Sequence, residues 1–115
     1  MSYDLRVLVK VEGCNQYAVV GCPEYDSPTY NLRDMFIACM DWDYDQCRTY
    51  AAQIALRYID HGIKELKENP EKYRKYNPSN GWGTLEGALE CLESARVCIH
   101  ECAEEYPIEC LYFKW

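Results

Sequence analysis

Cysteines, a run of alternating carboxylates and a glycine-tryptophan loop are the residues of this 115-residue chain whose types and spacing bear on chemistry. Its eight cysteines, Cys14, Cys22, Cys39, Cys47, Cys91, Cys98, Cys102 and Cys110, include no C-x-x-C pair, the spacing used by zinc ribbons and thioredoxin-type redox sites. Their density approaches that of disulfide scaffolds. Met1 to Glu12, however, carries charge throughout and lacks the apolar run of a secretion signal, so the expectation is a reduced, cytosolic chain. Cys91, Cys98 and Cys102 fall on one helical stripe with Leu85, Ala88, Leu92, Ala95 and Ile99. Buried packing is the role expected of them, since the free thiol is among the most buried side chains. Pairing in an oxidising setting and metal ligation are the alternatives.

Asp41-Trp42-Asp43-Tyr44-Asp45 has the opening carboxylates of a calcium loop, but Gln46 stands where the loop needs glycine and Ala52 where it needs a bidentate acid. The plain reading is a solvated, helix-capping acidic turn. The functional reading is a partner-binding patch formed by Asp41, Trp42, Asp43, Tyr44 and Asp45, because aromatic rings supply large contact area at interfaces. Asn80-Gly81-Trp82-Gly83-Thr84 opens a helix, whose free amides attract anions. Gly87 falls one residue late for a dinucleotide fingerprint, and no Lys-Ser/Thr pair makes a P-loop. Upstream, Lys72-Tyr73-Arg74-Lys75-Tyr76 interleaves cations with rings, as stacking surfaces do. If these segments converge, Tyr30, Asn31, Lys72, Arg74, Lys75, Asn80, Trp82 and Thr84 make a candidate pocket for a small phosphorylated ligand. The bland alternative is a structural turn beside a solvated basic one. His61 and His100 are lone helical residues outside any nucleophile motif, and Glu86, Glu90, Glu93, Glu101, Glu104 and Glu105 read as a wet helix face. No enzyme, metal or cofactor is expected.

The elements that must position these residues follow from periodicity. Leu5, Val7, Val9 and Val11 alternate with charge and predict a strand over residues 3–12, returned by a second over 16–22. Prolines break residues 23–28, Asn31 caps a short helix to Met40, and a long helix runs from Asp43–Asp45 to Glu68 on a stripe of Cys47, Ala51, Ile54, Ala55, Tyr58, Ile59, Ile63 and Leu66. Asn69-Pro70 starts a helical turn over 71–75. Thr84 caps a last helix that Pro107 ends, and residues 108–115 return as a strand. The expected fold is a single α+β domain, residues 1–115: a small antiparallel sheet, made of the N-terminal hairpin plus the C-terminal strand, packed on an antiparallel pair of long helices. The last strand, with Leu111, Tyr112, Phe113 and Trp115, is a candidate homodimer edge.

Composition narrows the partners. At 49% hydrophobic and 27% charged the chain is of globular type, and 19 acidic against 12 basic residues give a net charge of -7. That balance argues against direct nucleic-acid binding or an anionic membrane surface, which cationic proteins favour, and for a basic partner. No apolar run is long enough to span a bilayer.

Ser27-Pro28-Thr29-Tyr30-Asn31-Leu32-Arg33-Asp34-Met35-Phe36, Gly62-Ile63-Lys64-Glu65-Leu66, Asn69-Pro70-Glu71-Lys72-Tyr73 and Tyr76-Asn77-Pro78-Ser79-Asn80-Gly81-Trp82-Gly83-Thr84 together resemble a family of small uncharacterised phage and prophage proteins. The T-Y-N-L and N-G-W-G segments are the more specific; the hairpin is not, and the many cysteines depart from the pattern. The resemblance carries over no catalytic residue. It implies an accessory protein of a bacterial virus or mobile element, acting in the bacterial cytoplasm. Joined to the acidic charge, it gives the expectation of an anti-defence inhibitor that occupies the basic nucleic-acid groove of a host effector such as a CRISPR nuclease. The alternatives are a sponge that sequesters a nucleotide immune signal in the pocket above, or an assembly or host-takeover adaptor.

Overall fold

Alternation sets the first strand. In β1 (Arg6–Lys10) Val7 and Val9 point to one side and Arg6, Leu8 and Lys10 to the other, the pattern of a sheet with one covered face. The computed structural model describes residues 2–42 and 49–115. Over these the chain continues through β2 (Tyr17–Gly21), a 3-10 turn (Tyr30–Leu32), α1 (Arg33–Met40), β3 (Thr49–Ala51), α2 (Ala52–Glu68), α3 (Pro70–Arg74), α4 (Leu85–Glu105), a second 3-10 turn (Ile108–Cys110) and β4 (Leu111–Lys114). The strands form one antiparallel sheet in the order β2-β1-β4-β3. Val7 lies opposite Phe113 and Val9 opposite Leu111, and these four side chains meet the helices. The other, more open face still buries Leu8, and there Tyr17 and Tyr112 meet edge to face at 5.2 Å.

The fold is the expected α+β architecture, with the hairpin and the C-terminal strand joined as anticipated. Acidic and basic side chains fix the sense of the long pair: Asp60 reaches Arg96 at 3.6 Å and, further along α2, Lys67 reaches the earlier Glu93 at 3.7 Å. The numbering of α2 and α4 therefore runs in opposite directions.

A fourth strand was not expected. Thr49, Tyr50 and Ala51 are extended and pair with Lys114, Phe113 and Tyr112, so the long helix begins at Ala52 and not at residues 43–45. Continuing the helix back through these residues would forfeit the last ladder of the sheet and the stacking of Tyr50 on Trp42 at 4.9 Å; pairing overrides helical periodicity. Ile54 is 45% exposed, because the buried stripe of α2 is Ala52, Ala55, Ile59, Gly62, Ile63 and Leu66. Cys47, assigned to the same stripe, lies outside the described residues. β3 also occupies the free side of β4, which is consequently internal and cannot serve as the dimer edge; the edges are β2 and β3.

Two further boundaries move for hydrogen-bonding reasons. Tyr3 and Leu5 donate their amides to the carbonyls of Pro28 and Asp26, each at 2.8 Å, so the segment before β1 is tied to the proline loop and the strand shortens. Thr29, not Asn31, caps the turn before α1 by accepting the Asn31 amide at 3.2 Å, while the Asn31 side chain donates to the same hydroxyl.

The buried side chains form a contiguous cluster. At one end the Trp115 ring touches Phe36 at 4.9 Å, Trp42 at 5.2 Å, Tyr3 at 5.6 Å and Phe113 at 6.1 Å. At the other, α1, α2 and α4 close around Gly62, where an added Cβ would stand 2.7 Å from Met40 Cγ and 3.0 Å from Leu92 Cδ1. A larger side chain there has no room, since Met40 and Leu92 are themselves buried. Gly62→Val should destabilise the chain by about 1–3 kcal/mol, read as a lower urea midpoint at unchanged slope.

Candidate functional site

The acidic face of α4 is the place to build from. Its helical period puts Glu93, Val97 and Glu101 in one row, an apolar side chain between two carboxylates on a face that otherwise reads as solvated. Val97 is 51% exposed. Against this row runs the segment that follows β2, and its position is set by backbone bonds to α4. The Tyr25 amide donates to Ser94 Oγ at 3.2 Å, and the Cys91 thiol donates to the Tyr25 carbonyl at 3.4 Å. Ser94 itself donates to the Cys91 carbonyl at 3.0 Å, which holds its hydroxyl in place. From below, Arg6 bonds Asp26 at 2.7 Å.

The result is a groove of about 440 Å³ whose walls include Glu24 and Tyr25 on one side and Glu90, Glu93, Val97 and Glu101 on the other. Lys67 reaches Glu93 at 3.7 Å; Glu24, Glu90 and Glu101 have no salt bridge among the described residues. The strands and the last helix differ in charge. The four strands carry Arg6, Lys10 and Lys114 and no acid, whereas α4 carries Glu86, Glu90, Glu93, Glu101, Glu104 and Glu105 against Arg96.

Cys22 and Cys98 also line the groove, and further thiols pack beside it. β2 crosses α4 so closely that a Cβ on Gly21 would lie 2.7 Å from Cys102 Sγ and 3.0 Å from Cys98 Sγ. Cys102 donates its thiol toward the Val20 carbonyl at 3.9 Å. Burial pushes the Cys98 and Cys91 thiols up to about 12 and raises Cys102 as well. These groups stay protonated near neutral pH and act as packing atoms and weak donors, not nucleophiles. The sequence anticipated their burial; it did not anticipate that they pin β2 and the loop after it. Among the described residues no group of three or more His, Cys, Asp or Glu is placed to hold a metal ion.

The residues singled out in the sequence are distributed differently from expectation. In the Asp41–Asp45 patch, Trp42 is 4% exposed and packs in the aromatic core, so it is not a surface contact. Its ring is drawn inward by Tyr50, Tyr58 and Trp115. Asp41 is exposed and ends α1 in the left-handed conformation. Asp43, Tyr44 and Asp45 lie outside the described residues.

The segments of the alternative pocket do approach one another. Gly83 packs on Leu32 and Thr29, to which an added Cβ would be 2.9 and 3.1 Å, so the T-Y-N-L and N-G-W-G segments meet there through apolar contact. Asn80 accepts the Trp82 amide at 2.9 Å and Thr84 accepts the Gly87 amide at 3.0 Å; both side chains thus serve the turn and the helix cap. Tyr30 leans on Tyr3 at 4.5 Å. The cations point to acids and rings of this chain. Arg74 bonds Glu86 at 2.8 Å and Glu71 at 3.2 Å, Lys72 lies 3.9 Å from Glu65, and Lys75 sits over Tyr76. At the start of α4 the Leu85 and Gly87 amides are already bonded to Asn77 and Thr84, and an anion would reach Arg74 only by displacing Glu86. Trp82, 70% exposed, is free to contact a partner.

No protein-family model, curated protein or solved structure matches the chain.

Two outcomes test this description. The thiols of Cys14, Cys22 and Cys110 are exposed and those of Cys39 and Cys91 buried, so peptide mass spectrometry after brief iodoacetamide treatment of the native chain should find the first three modified well ahead of the last two. Tyr73 donates its hydroxyl to Glu65 at 2.6 Å and, with Asn69 and Lys72, lowers the Glu65 carboxyl below its ordinary range. A lowered folded-state value contributes stability above the ordinary carboxylate range that is lost as pH falls through it. Tyr73→Phe should therefore flatten the acid limb of the stability profile, measured by melting temperature between neutral pH and pH about 3.

Proposed function

We propose that the chain is a non-enzymatic binding module that captures a basic partner in the groove between α4 and the segment that follows β2. The observation that carries this reading is the set of Glu90, Glu93, Val97 and Glu101 on α4 facing Glu24 and Tyr25, an acidic groove with apolar surface left uncovered. Carboxylates gathered in a concave site raise the local concentration of cationic groups and speed their encounter. Exposed Tyr25 and Val97 supply the apolar area that converts encounter into a lasting complex. The acidic docking face expected at Asp41–Asp45 is thus assigned to α4.

With the sequence resemblance, the partner we favour is a nucleic-acid-handling effector of bacterial defence, such as a CRISPR nuclease, whose phosphate-binding channel is lined by lysine and arginine. The chain then acts as a phage-encoded inhibitor that competes with nucleic acid for that channel, in the bacterial cytoplasm. The nucleotide-sponge reading retains the exposed Trp82 ring but requires Arg74 to leave Glu86.

Expression of the chain in bacteria carrying a panel of CRISPR nucleases should restore phage plaquing against at least one of them, and Glu90→Lys with Glu101→Lys should abolish that rescue without lowering the melting temperature. Unchanged plaquing across the panel overturns the inhibitor reading. A rise in melting temperature with one member of a nucleotide series, and with no basic protein, would favour the sponge.

A further inference from the structure

The groove begins where an edge strand ends, at Cys22 after β2, and that edge is guarded by its short length and by the register shift opposite Val7 and Leu8, not by charge. β2 reads Tyr-Ala-Val-Val-Gly, with neither charge nor proline, although natural edge strands are commonly guarded by one or the other. Val19 is 57% exposed and Tyr17 43%. The orientation of the β2 backbone follows from its ladder. Val11 donates its amide to the Gln16 carbonyl at 2.8 Å, and the same register carries on through Lys10 with Tyr17, Val9 with Ala18 and Leu8 with Val19. In antiparallel pairs, bonded and unbonded positions alternate. Tyr17 and Val19 therefore turn their N–H and C=O groups away from β1, toward the empty side.

A strand laid along that side would complete the layer. Its first residues would lie next to Tyr17 and Val19, and a strand continued past Gly21 would enter the groove, whose lining begins at Cys22 and includes Glu24, Glu90, Val97 and Glu101. The occupant's chemistry is set by charge. A second copy pairing through the same edge would bring two sets of groove carboxylates together, which like-charge repulsion opposes. A nucleic-acid strand meets the same repulsion. A segment with lysine or arginine at alternate positions meets complementary charge in the groove.

We infer that the basic partner is held by strand addition: an extended segment alternating cationic and apolar residues joins β2 as a fifth strand and directs its cations into the α4 groove. This rests on the capture of a basic partner proposed above and specifies its mode. In such complexes the backbone bonds give affinity and the alternate side chains give selectivity.

The test uses the full chain and an N-acetylated peptide of alternating lysine and valine. Binding should slow hydrogen exchange at the Tyr17 and Val19 amides by about tenfold or more. N-methylation of the peptide's alternate amides should remove both the protection and the binding, and Glu90→Lys with Glu101→Lys should weaken binding by at least about tenfold. Peptide binding that leaves exchange at Tyr17 and Val19 unchanged, or that tolerates N-methylation at every position, overturns strand addition but leaves the capture of basic partners standing. Failure of the peptide to bind overturns strand addition too, and the plaquing experiment decides the wider reading separately. Protection of Tyr17 and Val19 that arises without peptide as the chain is concentrated would assign the edge to a second copy.

Discussion

Everything in this small molecule depends on where the aromatic rings meet. Trp115, at the end of the strand next to β3, touches Tyr3, Phe36, Trp42 and Phe113. Those contacts join the segment before β1, helix α1, the turn after it and the sheet at one point. Aromatic packing of this kind combines large buried area with a preference for edge-on geometry. It fixes the direction in which α1 leaves the sheet, and through the α1, α2 and α4 contact at Gly62 it fixes where α4 can lie. The groove on the far side of α4 inherits its shape from rings that never touch it.

The sheet register, the helix ends and the burial of the α4 cysteines are written in local patterns, and these are the parts that periodicity and capping residues predict. Thr84 caps α4 and Pro107 follows its end because both act within one turn of backbone. β3 is different. Its pairing with β4 joins residues far apart in sequence, and over so short a strand the alternation cannot compete with a neighbouring helical stripe. Trp42 was misplaced for a related reason: a tryptophan between aspartates looks exposed until the ring of Tyr50 and the ring of Trp115 are known to stand beside it. The groove was half legible. Its carboxylates were visible as a wet face, and Val97 in their midst was the one residue that broke the pattern.

The thiols hold the seam beneath the groove. A hydroxyl or a methyl at Cys91 would fill similar space, but the sulfur both packs against α4's neighbours and donates toward the Tyr25 carbonyl, while Cys98 and Cys102 allow β2 to approach only because residue 21 is glycine. Small, weakly polar and protonated side chains suit a seam where a strand, a loop and a helix converge too closely for branched residues. Cys91, Cys98 and Cys102 are thus accounted for by close approach at this seam.

The difference in charge between strands and last helix has an effect at a distance. Among the described elements the strands carry Lys10, Lys114 and an Arg6 already paired with Asp4 and Asp26, while α4 carries six glutamates against one arginine, so the charge is unevenly distributed as well as net negative. In the field of a strongly basic surface a uniformly charged sphere is only attracted, whereas an uneven distribution is also turned. The torque presents α4 and the adjoining edge of the sheet before contact is made, so fewer collisions arrive in the wrong orientation.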